Sequence, residues 1–150
     1  MTTAQERQTI QKQTIDIIEK AVGSDVQAGE YLWMMARMSR VVDDIYDQDQ
    51  TVTREELLEV FEYLFIKMPT NEFFSRHYDV LQSQHISMWN AWMAANSAAQ
   101  GDETDQIYSH VWRDTHHELI PIVALLTQGY DKMKELSSLI RTTFKKKLGE

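Results

Sequence analysis

The sequence predicts an all-α protein, a compact bundle of about six helices that forms a single domain over residues 1–150. The chain contains only five Gly and two Pro, too little turn material for a many-stranded β fold. Between the few turn signals, apolar residues recur at intervals of three and four, the spacing of one helix face. A chain of 150 residues can also hide roughly 70% of its unfolded surface, which is enough for its own core.

The first predicted helix covers residues 4–22 and ends at Gly23, a residue type suited to a helix C-terminus. Its buried side is expected to consist of Ile10, Ile15, Ile17 and Ile18. The second helix covers residues 26–47 and has the bundle-like seam Tyr31, Met35, Met38, Val42 and Ile45. Its first half is apolar nearly all round, so we expect a central helix that is covered on more than one side.

Capping signals place the third and fourth helices. Thr53 followed by Glu56 is a capping box, so the third helix should begin there and run to about Lys67, ahead of Pro69. Its inner side should contain Leu57, Val60, Phe61 and Leu64. The fourth helix is expected over residues 71–99, with the stripe Phe74, Tyr78, Leu81, His85, Met88 and Trp92.

The fifth helix is predicted over residues 102–128, with Asp102 at its start and Gly129 just after its end. Pro121 should kink this helix because proline lacks the helical N–H donor. The last helix should begin at Asp131. Its inward residues are expected to be Met133, Leu136, Ile140 and Phe144. The basic residues at its end suit the negative end of the helix dipole: Arg141, Lys145, Lys146 and Lys147.

The net charge of −8 is concentrated in one segment. Residues 41–62 hold eight acidic residues against Arg54 alone, a local charge of −7. An acidic surface disfavours direct binding to nucleic acid and to anionic membranes. With no cysteine, no apolar run near the ~20 residues of a membrane span and no leader-like N-terminus, we expect a cytoplasmic protein.

The first candidate site lies at the end of the second helix. Arg40, Asp43, Asp44 and Asp47 fall within a narrow sector of that helix, so three carboxylates and a guanidinium project from one patch. Such a patch can hold Mg²⁺, which prefers oxygen ligands and often reaches the protein through carboxylates and substrate phosphates. The alternative is a solvated acidic face at a helix end.

The second candidate site lies on the fifth predicted helix. His110, Asp114 and His117 have helical spacing and could present two nitrogens and one oxygen to Zn²⁺, Mn²⁺ or Fe²⁺, with Arg113 beside them. The alternative is a pair of surface histidines hydrogen-bonded to nearby acids. His85, which falls on an apolar stripe, is expected to be an interior histidine with a partner on a neighbouring helix.

Two segments resemble known proteins. The string DDIYD resembles the DDxxD motif of terpenoid and isoprenyl-diphosphate synthases. That resemblance implies that Asp43, Asp44 and Asp47 ligate Mg²⁺ ions that grip a diphosphate. The segment LWMMARMSRVVDDIYDQD resembles parts of small helical proteins of unassigned function encoded by tailed phages, which implies a phage-like source and no particular reaction.

Two functions follow from these patterns, and whether the protein is an enzyme stays open. The first is a non-enzymatic interaction protein whose acidic segment docks a basic partner, or which forms a homodimer through Trp33. The second is a divalent-metal-dependent enzyme that acts on a phosphorylated or diphosphate small molecule. In that enzyme the two candidate sites would face each other, and Arg40 and Arg113 would hold the anion.

Overall fold

The computed structural model describes residues 3–145, and these residues form helices without any strand, which confirms the all-α prediction. Eleven helical segments follow one another along this part of the chain. The first three α-helices are α1 (Ala4–Val22), α2 (Val26–Asp47) and α3 (Arg54–Glu62), and a π-helical turn (Tyr63–Lys67) follows α3. The remaining segments are α4 (Met68–Thr70), α5 (Glu72–Arg76), α6 (Tyr78–Ala98), α7 (Glu103–Arg113), a 3₁₀ turn (Asp114–Glu118), α8 (Leu119–Gln128) and α9 (Tyr130–Thr143).

The predicted helix ends at capping residues are confirmed. Thr53 begins α3 with a capping box, since its hydroxyl accepts from the Glu56 N–H while the Glu56 carboxylate accepts from the Thr53 N–H. Asp102 begins α7 in the same way. Gly23 and Gly129 follow α1 and α8 with φ of 59° and 95°, backbone conformations that residues with a side chain rarely adopt.

The hydrophobic core is centred on α8, which packs against α1, α2 and α9. Tyr31 of α2, Val123 of α8 and Leu136 of α9 are completely buried. Burying one such side chain stabilises the fold by about 1.5–3 kcal/mol. By contrast α3 buries only Val60 and α7 buries only Ser109, so these two helices lie at the edge of the core.

The buried face of α2 differs from the predicted seam. It consists of Tyr31, Met34, Met38 and Val41, together with Ala28 and Leu32. Met35 and Val42 are half-buried, and Ile45 is 49% exposed. The buried face keeps the three- and four-residue steps but is offset by one position, with Met34 and Val41 inward in place of Met35 and Val42, and the last turn of α2 extends past the core. The prediction that Ile45 faces inward is therefore wrong.

Other predicted core positions are exposed for a similar reason. The N-terminal part of α1 extends beyond the core, so that Ile10 is 49% and Ile15 is 39% exposed while Ile17 and Ile18 are buried as predicted. In the third helix Val60 is buried, whereas the three other residues predicted to face inward are exposed: Leu57, Phe61 and Leu64.

Two long predicted helices are divided. Asn71 caps a separate short helix by accepting from the Phe74 N–H, and the segment 71–99 then breaks at His77, whose backbone is not helical. The segment 102–128 breaks at the 3₁₀ turn, and Pro121 lies in the first turn of α8, where its missing N–H removes no bond from the helix. The predicted kink at Pro121 is therefore replaced by a helix break just before it. The helical run also continues through Pro69 to Thr70.

Within residues 3–145, no helix is both long and apolar enough to cross a lipid bilayer. Lys146 and Lys147, which belong to the predicted basic C-terminal run, lie outside the described residues. Arg141 does lie in the last turn of α9, as predicted.

Candidate functional site

Three helices meet at a polar cluster that we call the Arg113 junction, formed by Asp43 of α2, Trp92 and Asn96 of α6, and Arg113 of α7. The Arg113 guanidinium donates to Asp43 Oδ1 at 3.1 Å and to Asn96 Oδ1 at 2.6 Å. The Trp92 indole also donates to Asp43 Oδ1, at 3.1 Å. The Asp43 carboxylate oxygen therefore connects α2 to α6 and α7, two helices that are far from α2 in sequence.

Local features of α6 and α7 place this junction. Small residues near the end of α6 allow α7 to pack closely, and the Ser109 hydroxyl donates to the Ala95 carbonyl at 2.7 Å. This packing brings Arg113, the last residue of α7, beside Asn96, which is buried. A buried amide needs a hydrogen-bond partner, and Arg113 supplies it.

A second set of ion pairs joins α2 to α3. Arg37 donates to Glu59 at 2.9 Å, and Arg40 donates both to Asp44, at 3.4 Å, and to Glu56. Sequence reasoning missed these pairs. Arg37 and Arg40 are three residues apart on α2, and Glu56 and Glu59 are three residues apart on α3. This matched spacing could have predicted that the two helices pair through these residues.

These arginine contacts affect the titration of two carboxyl groups. Burial raises the pKa of Asp44, and the charge of Arg40 offsets part of that increase. The pKa of Glu56 is lowered, first by the hydrogen bond from Arg40 and then by the one from the Thr53 N–H. Both carboxyl groups therefore interact with the guanidinium of Arg40, one of the predicted anion-binding residues.

The predicted Mg²⁺ ligands accordingly lie beside arginines. Asp43 accepts from Arg113, Asp44 accepts from Arg40, and Asp47 Oδ2 lies 3.8 Å from the Arg113 guanidinium. Across residues 3–145, no group of three or more His, Asp or Glu side chains is arranged to hold a metal ion. The metal site stays a prediction, and both predicted anion-binding arginines, Arg40 and Arg113, contact carboxylates of the chain itself.

The second predicted row is divided by the end of α7 at Arg113. His110 is on the α-helix, whereas Asp114 and His117 are in the 3₁₀ turn, so the α-helical spacing on which that prediction rested is wrong. All three side chains still line one open groove of about 440 Å³. His117 Nδ1 lies 4.0 Å from the Asp114 carboxylate, and its ring stacks on Phe144 with centroids 4.7 Å apart.

Beside the junction, three aromatic rings form a row on the surface. The Tyr46 ring packs edge-on against Trp92 with centroids 5.0 Å apart, and Trp92 stacks on Trp89 at 5.2 Å. Tyr46 and Trp89 are each 53% exposed. Asp47 follows Tyr46 at the end of α2. We call Tyr46, Asp47, Trp89 and Trp92 the acidic–aromatic surface, and sequence reasoning did not detect its aromatic part.

His85 occupies an interior position on α6 and pairs with a neighbouring helix. Its Nε2 lies 2.7 Å from the Tyr31 hydroxyl, and the two rings stack with Phe74. Burial lowers the pKa of His85 and raises that of Tyr31. His85 is therefore half-buried among these rings, and its hydrogen-bond partner is Tyr31 and not the acidic residues at the end of α2.

Comparison with known proteins adds no relative to this description. No known protein family, no curated protein and no solved structure matches the chain.

Proposed function

We propose that this protein is a non-enzymatic interaction protein and that it binds a basic partner protein at the acidic–aromatic surface. The observation that carries the proposal is the stacked aromatic row of Tyr46, Trp92 and Trp89, which ends in solvent beside a carboxylate. Tryptophan and tyrosine are the side chains most enriched among residues that dominate binding energy at protein interfaces.

The row is suited to cationic side chains. An arginine or lysine placed over an exposed indole or phenol is attracted to the ring face by about 0.5–1 kcal/mol, and by more when water is excluded. Asp47 is at the edge of the row and its side chain is 36% exposed. An incoming guanidinium could therefore stack on the exposed Tyr46 ring at the Asp47 end of the row. The Asp47 carboxylate, which lies 3.8 Å from the Arg113 guanidinium of its own chain, adds negative charge there.

The protein's charge favours the same type of partner. The net charge of −8 and the acidic segment over residues 41–62 attract a positively charged surface over distances of about one Debye length, roughly 8 Å at physiological salt. Asp43, Asp44 and Asp47 contribute less to this attraction because their charges are partly neutralised by Arg113 and Arg40. Asp47 is nevertheless exposed at the end of α2, and Asp49 is exposed in the turn after it.

The second candidate is the divalent-metal-dependent enzyme that acts on a phosphorylated or diphosphate small molecule. Two features favour it: the resemblance of DDIYD to the DDxxD motif, and the groove lined by His110, Asp114 and His117. The described part of the chain shows no three-ligand group at either place. A rise in melting temperature with Mg²⁺, Mn²⁺ or Zn²⁺ would support this candidate over the first.

Two further properties belong to the same proposal. We place the protein in the cytoplasm, since a chain without cysteine suits a reducing compartment. The resemblance of residues 32–49 to small helical phage proteins is consistent with a protein that acts by binding a partner of its host.

Binding to a defined peptide tests the proposal. The probe is a synthetic helical peptide with arginines along one face and leucines along the other, and the readout is its Kd by isothermal titration calorimetry. We expect Trp89→Ala to weaken binding by at least about 30-fold, the effect of losing one aromatic anchor. Asp47→Asn should weaken it less and should reduce its dependence on salt.

Trp112→Ala is the matched control, because Trp112 is also exposed but lies on α7 and stacks on Tyr108, away from the row. The control should bind the peptide as the unaltered protein does. Equal Kd values for the protein and for Trp89→Ala would contradict the proposal, as would equal losses for Trp89→Ala and Trp112→Ala.

A further inference from the structure

The outer side of α3 and the π-helical turn carries a continuous apolar stripe, which we call the α3 stripe. It consists of Leu57, Leu58, Phe61, Leu64 and Phe65, which are between 40% and 70% exposed. Spacings of three and four place these residues on one side of the helix, and the Phe61 and Phe65 rings stack with centroids 5.9 Å apart. The core of the chain leaves this stripe uncovered.

The area of the stripe is large for a protein of this size. At about 200 Å² for each large apolar side chain, these exposures leave about 500 Å² of apolar surface in water. This area lies near the upper end of the roughly 300–600 Å² found for the largest patch on a monomer. Covering the stripe in two molecules removes about 1,000 Å², which reaches the minimum expected of a biological interface and lies in the range of weak ones.

The order of residues in the stripe is symmetric about Phe61. Leu58 and Leu64 lie three residues on either side of it, and Leu57 and Phe65 lie four residues on either side. Two antiparallel copies related by a two-fold axis at Phe61 therefore match large apolar residues at every position. Leu58 of one copy meets Leu64 of the other, and Leu57 meets Phe65. A self-complementary patch of this kind is what a two-fold symmetric dimer requires.

Charges beside the stripe are compatible with this pairing. Glu62 is the acidic residue next to Phe61 in sequence, and its carboxylate lies 3.4 Å from Lys67 of its own chain. The inner acidic residues of α3 are held by α2, since Glu56 pairs with Arg40 and Glu59 with Arg37. Two copies therefore bring no uncompensated pair of like charges to the axis.

We infer that the chain forms a homodimer through the α3 stripe, with the two copies of α3 antiparallel and the two-fold axis at Phe61. This inference goes beyond the proposed binding function, because it concerns another face of the molecule and another partner. It also differs from the predicted dimer through Trp33, which is half-buried and packs against the core of its own chain. The exposed apolar face of α7 offers less surface, about 400 Å² on the same basis.

Light scattering coupled to size-exclusion chromatography tests the inference. At a concentration on the order of 100 μM, above the micromolar Kd of weak interfaces, the protein should have twice the mass of one chain. Phe61→Glu should weaken dimerisation by at least about 30-fold, because it brings two carboxylates together at the axis, and its mass should fall toward that of one chain at concentrations where the unaltered protein is still a dimer. A monomeric unaltered protein at this concentration would overturn the inference.

A pair of charged substitutions tests the antiparallel register. Leu58→Glu and Leu64→Lys should each produce a monomer, because each places a charge against an apolar residue of the other copy. The chain that carries both substitutions should dimerise again, since Glu and Lys then meet across the interface twice. A double variant that stays monomeric would exclude this register. Helical circular dichroism should be unchanged throughout, because both positions are exposed.

Val111→Glu is the matched control, since Val111 is 61% exposed on the apolar face of α7. It should leave the dimer intact. Dissociation by Val111→Glu together with a dimeric Phe61→Glu would assign the interface to α7 and refute the inference. Peptide binding by a monomeric Phe61→Glu variant would separate the two proposals, because the acidic–aromatic surface lies on α2 and α6.

Discussion

Replacing Arg113 by methionine should destabilise the protein more than any other change to a charged side chain at the candidate site. Methionine keeps most of the apolar stem of arginine and removes only the guanidinium. The variant loses the hydrogen bonds from Arg113 of α7 to Asp43 of α2 and to Asn96 of α6.

The magnitude follows from the burial of each partner. Asn96 is only 8% exposed, so leaving its side-chain oxygen without a donor costs about 1–3 kcal/mol. The side chain of Asp43 is 45% exposed and keeps its bond from Trp92, so losing that ion pair costs at most about 1 kcal/mol. We therefore expect a loss of about 1–4 kcal/mol in the free energy of unfolding.

Urea denaturation followed by circular dichroism measures this loss, and the melting temperature should fall by about 3–12 °C in parallel. Arg141→Met is the matched control, because Arg141 pairs with Glu118 but both side chains are more than 40% exposed. The control should change stability by less than about 1 kcal/mol. Equal effects of the two substitutions would refute the reasoning that the Arg113 junction holds these helices together.

Three further predictions concern the fold. Burial lowers the pKa of His85 below its ordinary value of 6.5, so the unfolded chain binds the proton first and stability should fall as the pH drops below about 6.5. His85→Gln keeps a partner for Tyr31 and should remove this part of the pH dependence, as urea titrations between pH 5 and 8 can measure. Thr53→Ala removes the α3 cap and should cost about 1 kcal/mol in the same assay, and a neutral result would show that the cap is unimportant. Leu136→Ala should cost about 2–5 kcal/mol because Leu136 is fully buried, whereas Ile45→Ala at an exposed position should cost far less, and similar losses would contradict the assigned core.

Most helix ends could be predicted because they depend on local chemistry. The Thr53 and Asp102 capping boxes and the glycines at positions 23 and 129 act within a few residues, and the structure has helix ends at each of them. The break after Arg113 could not be predicted in the same way. Pro121 indicated that the helix is interrupted near this position. That Pro121 lies in the first turn of a new helix, however, depends on how α8 packs in the core.

The burial of individual residues was harder to predict than the helices that carry them. Periodicity identifies an apolar side of a helix but does not say how far along the helix the core extends. Ile10 and Ile45 lie on turns that pass beyond the core, and the α3 stripe has the spacing of a core face although the chain does not cover it. An apolar side that a second molecule covers cannot be distinguished by its spacing from one that is covered within the chain.

The candidate site was predicted in part. Helical spacing brought out the acidic residues at the end of α2, and Asn96 was recognisable as a polar residue near an apolar seam. The contact between Asp43 and Arg113 joins residues 70 positions apart, which no local pattern encodes. The exposed row of Tyr46, Trp92 and Trp89 likewise depends on how α6 crosses the end of α2.

The central claim is that a basic partner binds at the acidic–aromatic surface, and the indole N–H resonances in nuclear magnetic resonance spectra test it most directly. The chain has four tryptophans, and each gives one such resonance. On addition of the arginine–leucine peptide, the resonances of Trp89 and Trp92 should shift while those of Trp33 and Trp112 stay in place. A spectrum in which the Trp89 and Trp92 resonances do not move, or in which all four move equally, would contradict the claim.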